Sequence, residues 1–199
     1  RDLAIRPEIT PSLARMVSAK INAMPRPIKW FSVPRLCRAE KPQRGRLREF
    51  FQWNVDIIDE DSVEADAECI YILTDFLRET GLKPADITVR VGSRPVVTAL
   101  LRSHGVDPAN MEQAMLALDK RRKIPDAAFA ELMDNIQIRG NDLRDICDFM
   151  DAPGDSALER MQTIAVDETH VRELTSLRET LACMGVADYV SFDWHIVRG

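Results

Sequence analysis

The sequence predicts an α+β fold with a largely antiparallel sheet. Three observations carry that expectation. Two strand-like runs, 28–40 and 48–58, flank a turn at Pro42 to Gly45. The helical stretches that follow do not alternate regularly with strands, as repeated βαβ units would. From Val106 to about residue 165 the chain shows helical periodicity and almost no strand signal. With 199 residues, 45% of them hydrophobic, there is enough chain to bury a core. That size suits one domain, or one domain with an insertion.

In chain order, PSLARMVSAKINAM (11–24) reads as a helix. Pro11 suits its first turn, and Leu13, Met16, Val17 and Ile21 fall at helical spacing. Pro25 and Pro27 stop it. The run 28–40 is a strand whose ladder bonding Pro34 limits, and 48–58 returns beside it. Ser62 can cap the next helix, with Glu64 and Asp66 in its first turn and Gly81 past its end. A strand at 87–93 leads into a helix through Val96, Val97, Leu100 and Leu101 to Gly105. Asp107-Pro108 opens a helix ending in DKRRK, Pro125 opens another and Asn141 a third, with joints at Gly140 and Pro153-Gly154. A helix over 167–184 stops at Gly185, and 189–197 is a last strand. The expected organisation is 1–105, a helical insertion at 106–165, and 166–199 as the return to the first part.

The net charge is −5, which argues against nucleic-acid binding through overall charge and leaves room for a local basic patch. No apolar run reaches membrane-spanning length, and the N-terminus has no apolar core of a signal peptide. Cys37, Cys69, Cys147 and Cys183 lie far apart with no C-x-x-C pair, and there are only three histidines. The expectation is no metal site and four reduced, partly buried thiols in a cytoplasmic protein. His104, His170 and His195 stand isolated in sequence and receive no catalytic role.

The basic patch is local. Arg38, Lys41, Arg44, Arg46 and Arg48 crowd the hairpin turn. Strand alternation assigns Phe51, Trp53, Val55 and Ile57 to a core face, and Arg48, Phe50, Gln52, Asn54 and Asp56 to the other. An ordinary solvated face is one reading of that second row. However, Arg38 ends one strand while Arg46 and Arg48 begin the next, so three guanidiniums can converge, and guanidinium forks match phosphate oxygens. Phe50 could stack on a base, and Gln52 and Asp56 would suit an amine. Together they describe a nucleotide site beside an amino-acid site. In RPEIT (6–10), Glu8 and Thr10 would share a face if extended and could hold an ammonium group. The simpler alternative is that Thr10 caps the helix starting at Pro11 and Glu8 is solvated.

These elements resemble histidyl-tRNA synthetase, a class II aminoacyl-tRNA synthetase family. The resemblance rests on RPEIT, then CRAEKPQRGRLREFFQ followed by DSVEADAE, and IVRG at the C-terminus. The middle element is similar to the family's motif 2 hairpin, RPEIT to part of its histidine pocket, and HIVRG to the start of its second histidine signature. The resemblance implies a class II antiparallel sheet flanked by helices, with 106–165 as the insertion that touches the tRNA acceptor arm.

By the same resemblance, Arg38 would contact the ATP α-phosphate, Glu40 would face the adenine and Phe50 would stack on it. Arg46 would reach the outer phosphates and Arg48 would support the loop. Glu8, Thr10 and Gln52 would hold the histidine α-amino group, with Gln52 also near the carboxylate. Asp56, where the family often has Glu, would read the imidazole. Arg198 would bridge the histidine carboxylate and the α-phosphate. The implied activity is histidine-tRNA ligase, with ATP and Mg2+, L-histidine and tRNA(His), in a homodimer without membrane contact.

Three departures are Ile9 and Asn54 where Gly is expected, and Lys41 where Arg is. The remainder of the second signature, motif 3, most of motif 1 and the anticodon-binding domain are not in the sequence, which reads as an internal piece of a catalytic domain. The alternative is a non-catalytic relative, the regulatory subunit of ATP phosphoribosyltransferase in histidine biosynthesis. The intact set of Arg38, Glu40, Arg46 and Arg198 argues against it. DKRRK (119–123) could meet tRNA phosphates, but the favoured reading is ordinary partnership with a helix dipole.

Overall fold

The structure, a computed structural model, describes residues 5–41, 43–152, 154–164 and 166–197. The chain divides into two compact units, Arg1–Ala65 and Asp66–Gly199. Its elements are mixed helix and strand, and among the described residues the strands form three two-stranded sheets. The fold is α+β.

In the first unit, α1 (Thr10–Ser18) is shorter than the expected 11–24. Lys20, with φ −134°, leaves the helical basin, and only a 3-10 turn, Ile21–Ala23, follows. The expected hairpin is present, but each arm is broken in two. β1 (Ile28–Ser32) and β2 (Arg35–Cys37) return as β3 (Glu49–Phe51) and β4 (Asn54–Ile58). β1 pairs antiparallel with β4, and β2 with β3. One register runs through the break, with Ser32 opposite Asn54 and Arg35 opposite Phe51. Pro34 has no N–H to give the ladder, yet its carbonyl still accepts from the Gln52 N–H at 3.2 Å. The proline therefore interrupts the strands without shifting their pairing.

One expectation about this hairpin is reversed. Phe51 and Trp53 were to face a core, but Phe51 is 68% exposed and Trp53 40%, and Phe31 on the partner strand is 75% exposed. The buried apolar residues among those described in this unit are Val17, Ile28 and Leu36. Ile28 and Leu36 belong to the face that carries Phe50 and Arg38. Alternation separated the two faces correctly. It cannot say which face finds cover, because cover depends on what else packs there.

In the second unit, α2 (Val63–Glu79, its first residues before the division) ends at Gly81, whose φ of +92° suits a residue without Cβ. β5 (Val89–Val91) and α3 (Arg94–Ser103) follow. Five helices come next: α4 (Met111–Lys120), α5 (Asp126–Asp134), α6 (Gly140–Met150), α7 (Gly154–Arg160) and α8 (Glu168–Cys183). α7 lies where the sequence suggested a joint. Asp107 and Asp167 accept backbone N–H groups at 2.7 and 2.8 Å, so both act as the helix-starting caps their residue type favours. β6 (Val190–Phe192) pairs with β5 in parallel, which the long intervening crossover permits.

The expected strand to residue 197 stops at Phe192. There the Asp193 carboxylate accepts the His195 backbone N–H at 3.0 Å and turns the chain. The helices share one core with α3 and the end of β6. Val96, Val97, Leu100 and Leu101 are buried as their spacing predicted, together with Leu118, Met133, Ile146, Met150 and Trp194. The Trp194 ring lies 6.5 Å from that of Phe149 and 6.2 Å from that of Phe192.

Candidate functional site

Continuous register lines up the candidate residues. Leu36 stands opposite Phe50 in the ladder. One pair further toward the turn, the Arg38 N–H bonds the Arg48 carbonyl at 2.8 Å. Beyond that, Glu40 and Arg46 meet as an ion pair at 3.0 Å. In the other direction come Gln52, then Asn54 opposite Ser32 and Asp56 opposite Trp30. Strand alternation expected one row for Arg48, Phe50, Gln52, Asn54 and Asp56, and the pairing continues it to Arg38, with Glu40 and Arg46 meeting beyond the end of the ladder.

The row has an electrostatic gradient. At the turn, Arg46 is held by Glu40, with side chains 57% and 43% exposed. Such an exposed pair contributes little, roughly 0–1 kcal/mol, so either partner can be given up to a ligand at small cost. Among the described residues Arg44 and Arg48 make no ion pair. The Arg38 guanidinium lies 5.1 Å above the centroid of the Phe50 ring. Towards β4 the cations give way to Gln52, Asn54 and Asp56, all half-buried.

The segment containing RPEIT lies against the same hairpin. Cys37 N–H donates to the Arg6 carbonyl at 3.0 Å, and Arg38 Nε donates to the Pro7 carbonyl at 3.0 Å. Arg38 is therefore held by backbone on one side and an aromatic ring on the other, which pre-orients it. Both sequence readings of Thr10 need revision. It is helical, so Glu8 and Thr10 are not neighbours on an extended strand. Nor does it cap the helix, because Ile9 is the N-cap residue and no side chain makes a capping bond. Glu8 and Thr10 are both exposed. Arg198 lies outside the described residues.

Sequence reasoning missed three features. The Pro7 carbonyl anchors Arg38, and backbone acceptors leave no signature in residue type. Asn54, noted only as a departure, has its Oδ1 buried without a hydrogen-bond partner, an arrangement that costs about 1–3 kcal/mol unless a donor arrives. The histidines isolated in sequence each meet a carboxylate in space: His104 with Asp142, His170 with Glu173 and His195 with Asp151. Only the second pair, three apart on one helix, was readable. DKRRK also has partners that neither reading named. Arg121 pairs with Asp151, Arg122 with Asp193 and Lys123 with Asp119, so the run is tied internally. Cys37, Cys69 and Cys147 are half-buried, and Cys183 is exposed rather than partly buried. Burial pushes the Cys147 thiol above its ordinary value.

A family model described as histidyl-tRNA synthetase matches residues 1–199. The chain belongs to the histidyl-tRNA synthetase family. It is 34% identical over its whole length to a histidine–tRNA ligase of Opitutus terrae, covering 46% of that protein. It is 32% identical to the chloroplastic/mitochondrial histidine–tRNA ligase of Arabidopsis thaliana, covering 40% of it. The chain thus spans a little under half the length of these relatives. Among solved structures it resembles histidyl-tRNA synthetase from Nostoc sp. PCC 7120, with TM-score 0.82, 20% identity, and 98% and 46% of the two chains covered. It also resembles an ATP phosphoribosyltransferase regulatory subunit/histidyl-tRNA synthetase from Bacillus halodurans, with TM-score 0.81, 24% identity, and 96% and 50% covered. The ATP phosphoribosyl transferase (HisG:HisZ) complex from Thermotoga maritima matches at TM-score 0.69 and 17% identity, with 98% and 66% covered. Members of the aminoacyl-tRNA synthetase class use ATP and Mg2+. Among the described residues no helix is long and apolar enough to cross a membrane.

Proposed function

We propose that this chain is the catalytic-core part of a histidine–tRNA ligase. It would activate histidine with ATP and pass it to tRNA(His). The observation that supports this most is the single row on the hairpin, cationic at the turn and amide- and carboxylate-bearing at β4, with Arg38 held between Pro7 and Phe50.

In this reading the triphosphate lies at the cationic end. Arg38 takes the α-phosphate, Arg46 leaves Glu40 for the outer phosphates, and Arg48 supports the loop. Glu40 then faces the adenine. Arg38 keeps its place over one face of the Phe50 ring, whose other face would take the base. Mg2+ is the expected counter-ion of the triphosphate. Histidine lies at the β4 end, its ammonium near Glu8, Thr10 and Gln52 and its imidazole N–H toward Asp56. The orphaned Asn54 Oδ1 offers a further acceptor there. Binding such donors in a site built to accept them rejects apolar competitors strongly.

A histidine carboxylate oxygen attacks the α-phosphorus, the bond to the bridging oxygen of the β-phosphate breaks, and pyrophosphate leaves. Two anions must approach and charge builds on the phosphoryl oxygens. A guanidinium held in place, as Arg38 is, addresses both problems, and the resemblance would add Arg198 as a second. The terminal ribose hydroxyl of tRNA(His) then attacks the adenylate carbonyl and AMP departs. The helical stretch 106–165, as an insertion, would meet the acceptor arm. A homodimer and a cytoplasmic location belong to the same reading.

The structural likeness to the Thermotoga maritima complex favours a second reading, a non-catalytic regulatory subunit of ATP phosphoribosyltransferase. ATP–pyrophosphate exchange separates the two. Exchange with histidine and with no other amino acid supports the ligase. No exchange with any amino acid leaves an inactive piece of the family or the regulatory reading, and withdraws the claim that this chain is itself a ligase.

A further inference from the structure

Gln52, Asn54 and Asp56, the candidate residues at the β4 end of the row, all lie on the returning arm of the hairpin. The facing strand β1 supplies none of them. Yet β1 shares their face. Along it Ile28 is buried, Lys29 exposed, Trp30 half-buried, Phe31 exposed and Ser32 half-buried. Directly paired residues of antiparallel strands project to the same side. Trp30 is paired with Asp56, and Ser32 with Asn54. The indole therefore stands beside the carboxylate, with the two Cβ atoms roughly 5 Å apart.

Three groups in this corner are short of partners. Among the described residues the Asp56 carboxylate, although half-buried, makes no side-chain hydrogen bond and no ion pair. Asn54 Oδ1 is buried with no donor. The Trp30 ring meets no other ring and no cation among the described residues, whereas the Phe50 ring, nearer the turn, already carries Arg38. A carboxylate removed from water asks for a donor, and an aromatic face left open asks for an apolar or cationic surface. One ligand chemistry meets both demands, a flat ring that carries N–H donors. Its N–H bonds Asp56 while its face lies against the indole, since ring pairs engage at centroid separations of about 4.5–7 Å. An imidazole that a carboxylate draws toward its protonated form is also a cation for the indole face.

We infer that Trp30 is a specificity-determining residue, an aromatic wall across the ladder from Asp56 that selects an imidazole side chain. This rests on the ligase reading above. The two residues test different properties of the incoming amino acid. Phenylalanine stacks on Trp30 but leaves Asp56 unpaired, which a site built to accept a hydrogen bond rejects strongly. Glutamine gives Asp56 an N–H but offers the indole little face. Histidine satisfies both.

The test is calorimetric titration of this chain with L-histidine and, separately, with Mg-ATP, for wild type, Trp30→Phe and Trp30→Leu, each checked by thermal melting. Trp30→Leu keeps an apolar side chain and removes the ring. It should weaken histidine binding by about tenfold, the size of a partly desolvated contact with an aromatic face. Mg-ATP, bound toward the turn, should keep its affinity. Trp30→Phe should recover most of the histidine affinity. A side chain that only filled space would weaken both ligands alike, or neither. If Trp30→Leu fails to fold, tryptophan emission decides, because histidine should change it in wild type and not in Trp30→Phe. Trp53 belongs to the opposite face of the hairpin, and Trp194 is buried in the second unit. Wild-type histidine affinity in folded Trp30→Leu, an equal loss for both ligands, or the same emission change in both chains overturns the inference and leaves the ligase reading standing. A wild-type chain that takes no histidine overturns the inference together with the claim that this chain is itself a ligase.

Discussion

The hairpin turn of the first unit and the charged cluster of the second both concentrate arginine in an acidic chain, yet they treat it differently. In the cluster every arginine meets a fixed carboxylate, Arg121 with Asp151, and Arg90 and Arg122 with Asp193. At the hairpin, Arg38 rests on a carbonyl and a ring, Arg46 on one exposed glutamate, and Arg48 makes no ion pair among the described residues. Paired charge that is partly removed from water braces structure. Cations left short of anions can accept a polyanionic ligand without first breaking a buried pair.

The comparison can be broken at its most buried point first. Trp194→Ala should destabilise the second unit by about 3–5 kcal/mol, the usual range for emptying a fully buried aromatic site. Chemical unfolding followed by circular dichroism would show it, and a loss far below that range would mean the cluster does not stand on a packed base. At the hairpin the expected pattern is opposite. Arg38→Ala should leave the melting temperature nearly unchanged but lower exchange by roughly 10²- to 10³-fold, as for a preorganised contact to developing charge. A large stability loss with activity retained would make Arg38 another brace.

A smaller effect sharpens the cluster's side. Because burial outweighs the hydrogen bond to Asp151 and holds the folded imidazole of His195 low, the unfolded chain binds more protons than the folded one below about pH 6.5. Stability should therefore fall as pH drops through that value. Asp151, where burial is outweighed by hydrogen bonds from Arg121 and His195 that hold the carboxyl low, adds its own loss only in more acid solution, as pH falls through the carboxylate range. Urea unfolding at about pH 7.5 and about pH 5.5 should show a greater loss for wild type than for His195→Gln. Equal losses would mean that His195 titrates as it does in the unfolded chain.

The two regions were not equally legible in the sequence. The hairpin is local. Its faces follow from the period of two, and its register survives Pro34, so Arg48, Phe50, Gln52, Asn54 and Asp56 could be placed in one row from their order alone, with Arg38 and Arg46 at one end, whereas Glu40 entered only through the resemblance. Which face would be covered could not be read from order, because Phe51 and Trp53 look like core residues to any alternation rule and are exposed here. The cluster is non-local. Asp151 and His195 are 44 residues apart, and Arg90 and Asp193 are 103 apart. No spacing rule brings such residues together, so DKRRK read as a surface run and His195 as an isolated ring. Thr10 was misplaced by a single residue at a helix start, where side-chain caps and backbone turns compete.

The most direct test of the contrast is a titration of this chain with Mg-ATP, followed by the side-chain Nε–Hε resonances of its arginines. The account predicts saturable shifts at Arg38, Arg46 and Arg48 of the hairpin, weakened by Arg38→Ala, while Arg90, Arg121 and Arg122 stay in place. Shifts confined to the second-unit cluster, or no saturable shift at the hairpin, would contradict the claim that its cations are kept for a triphosphate.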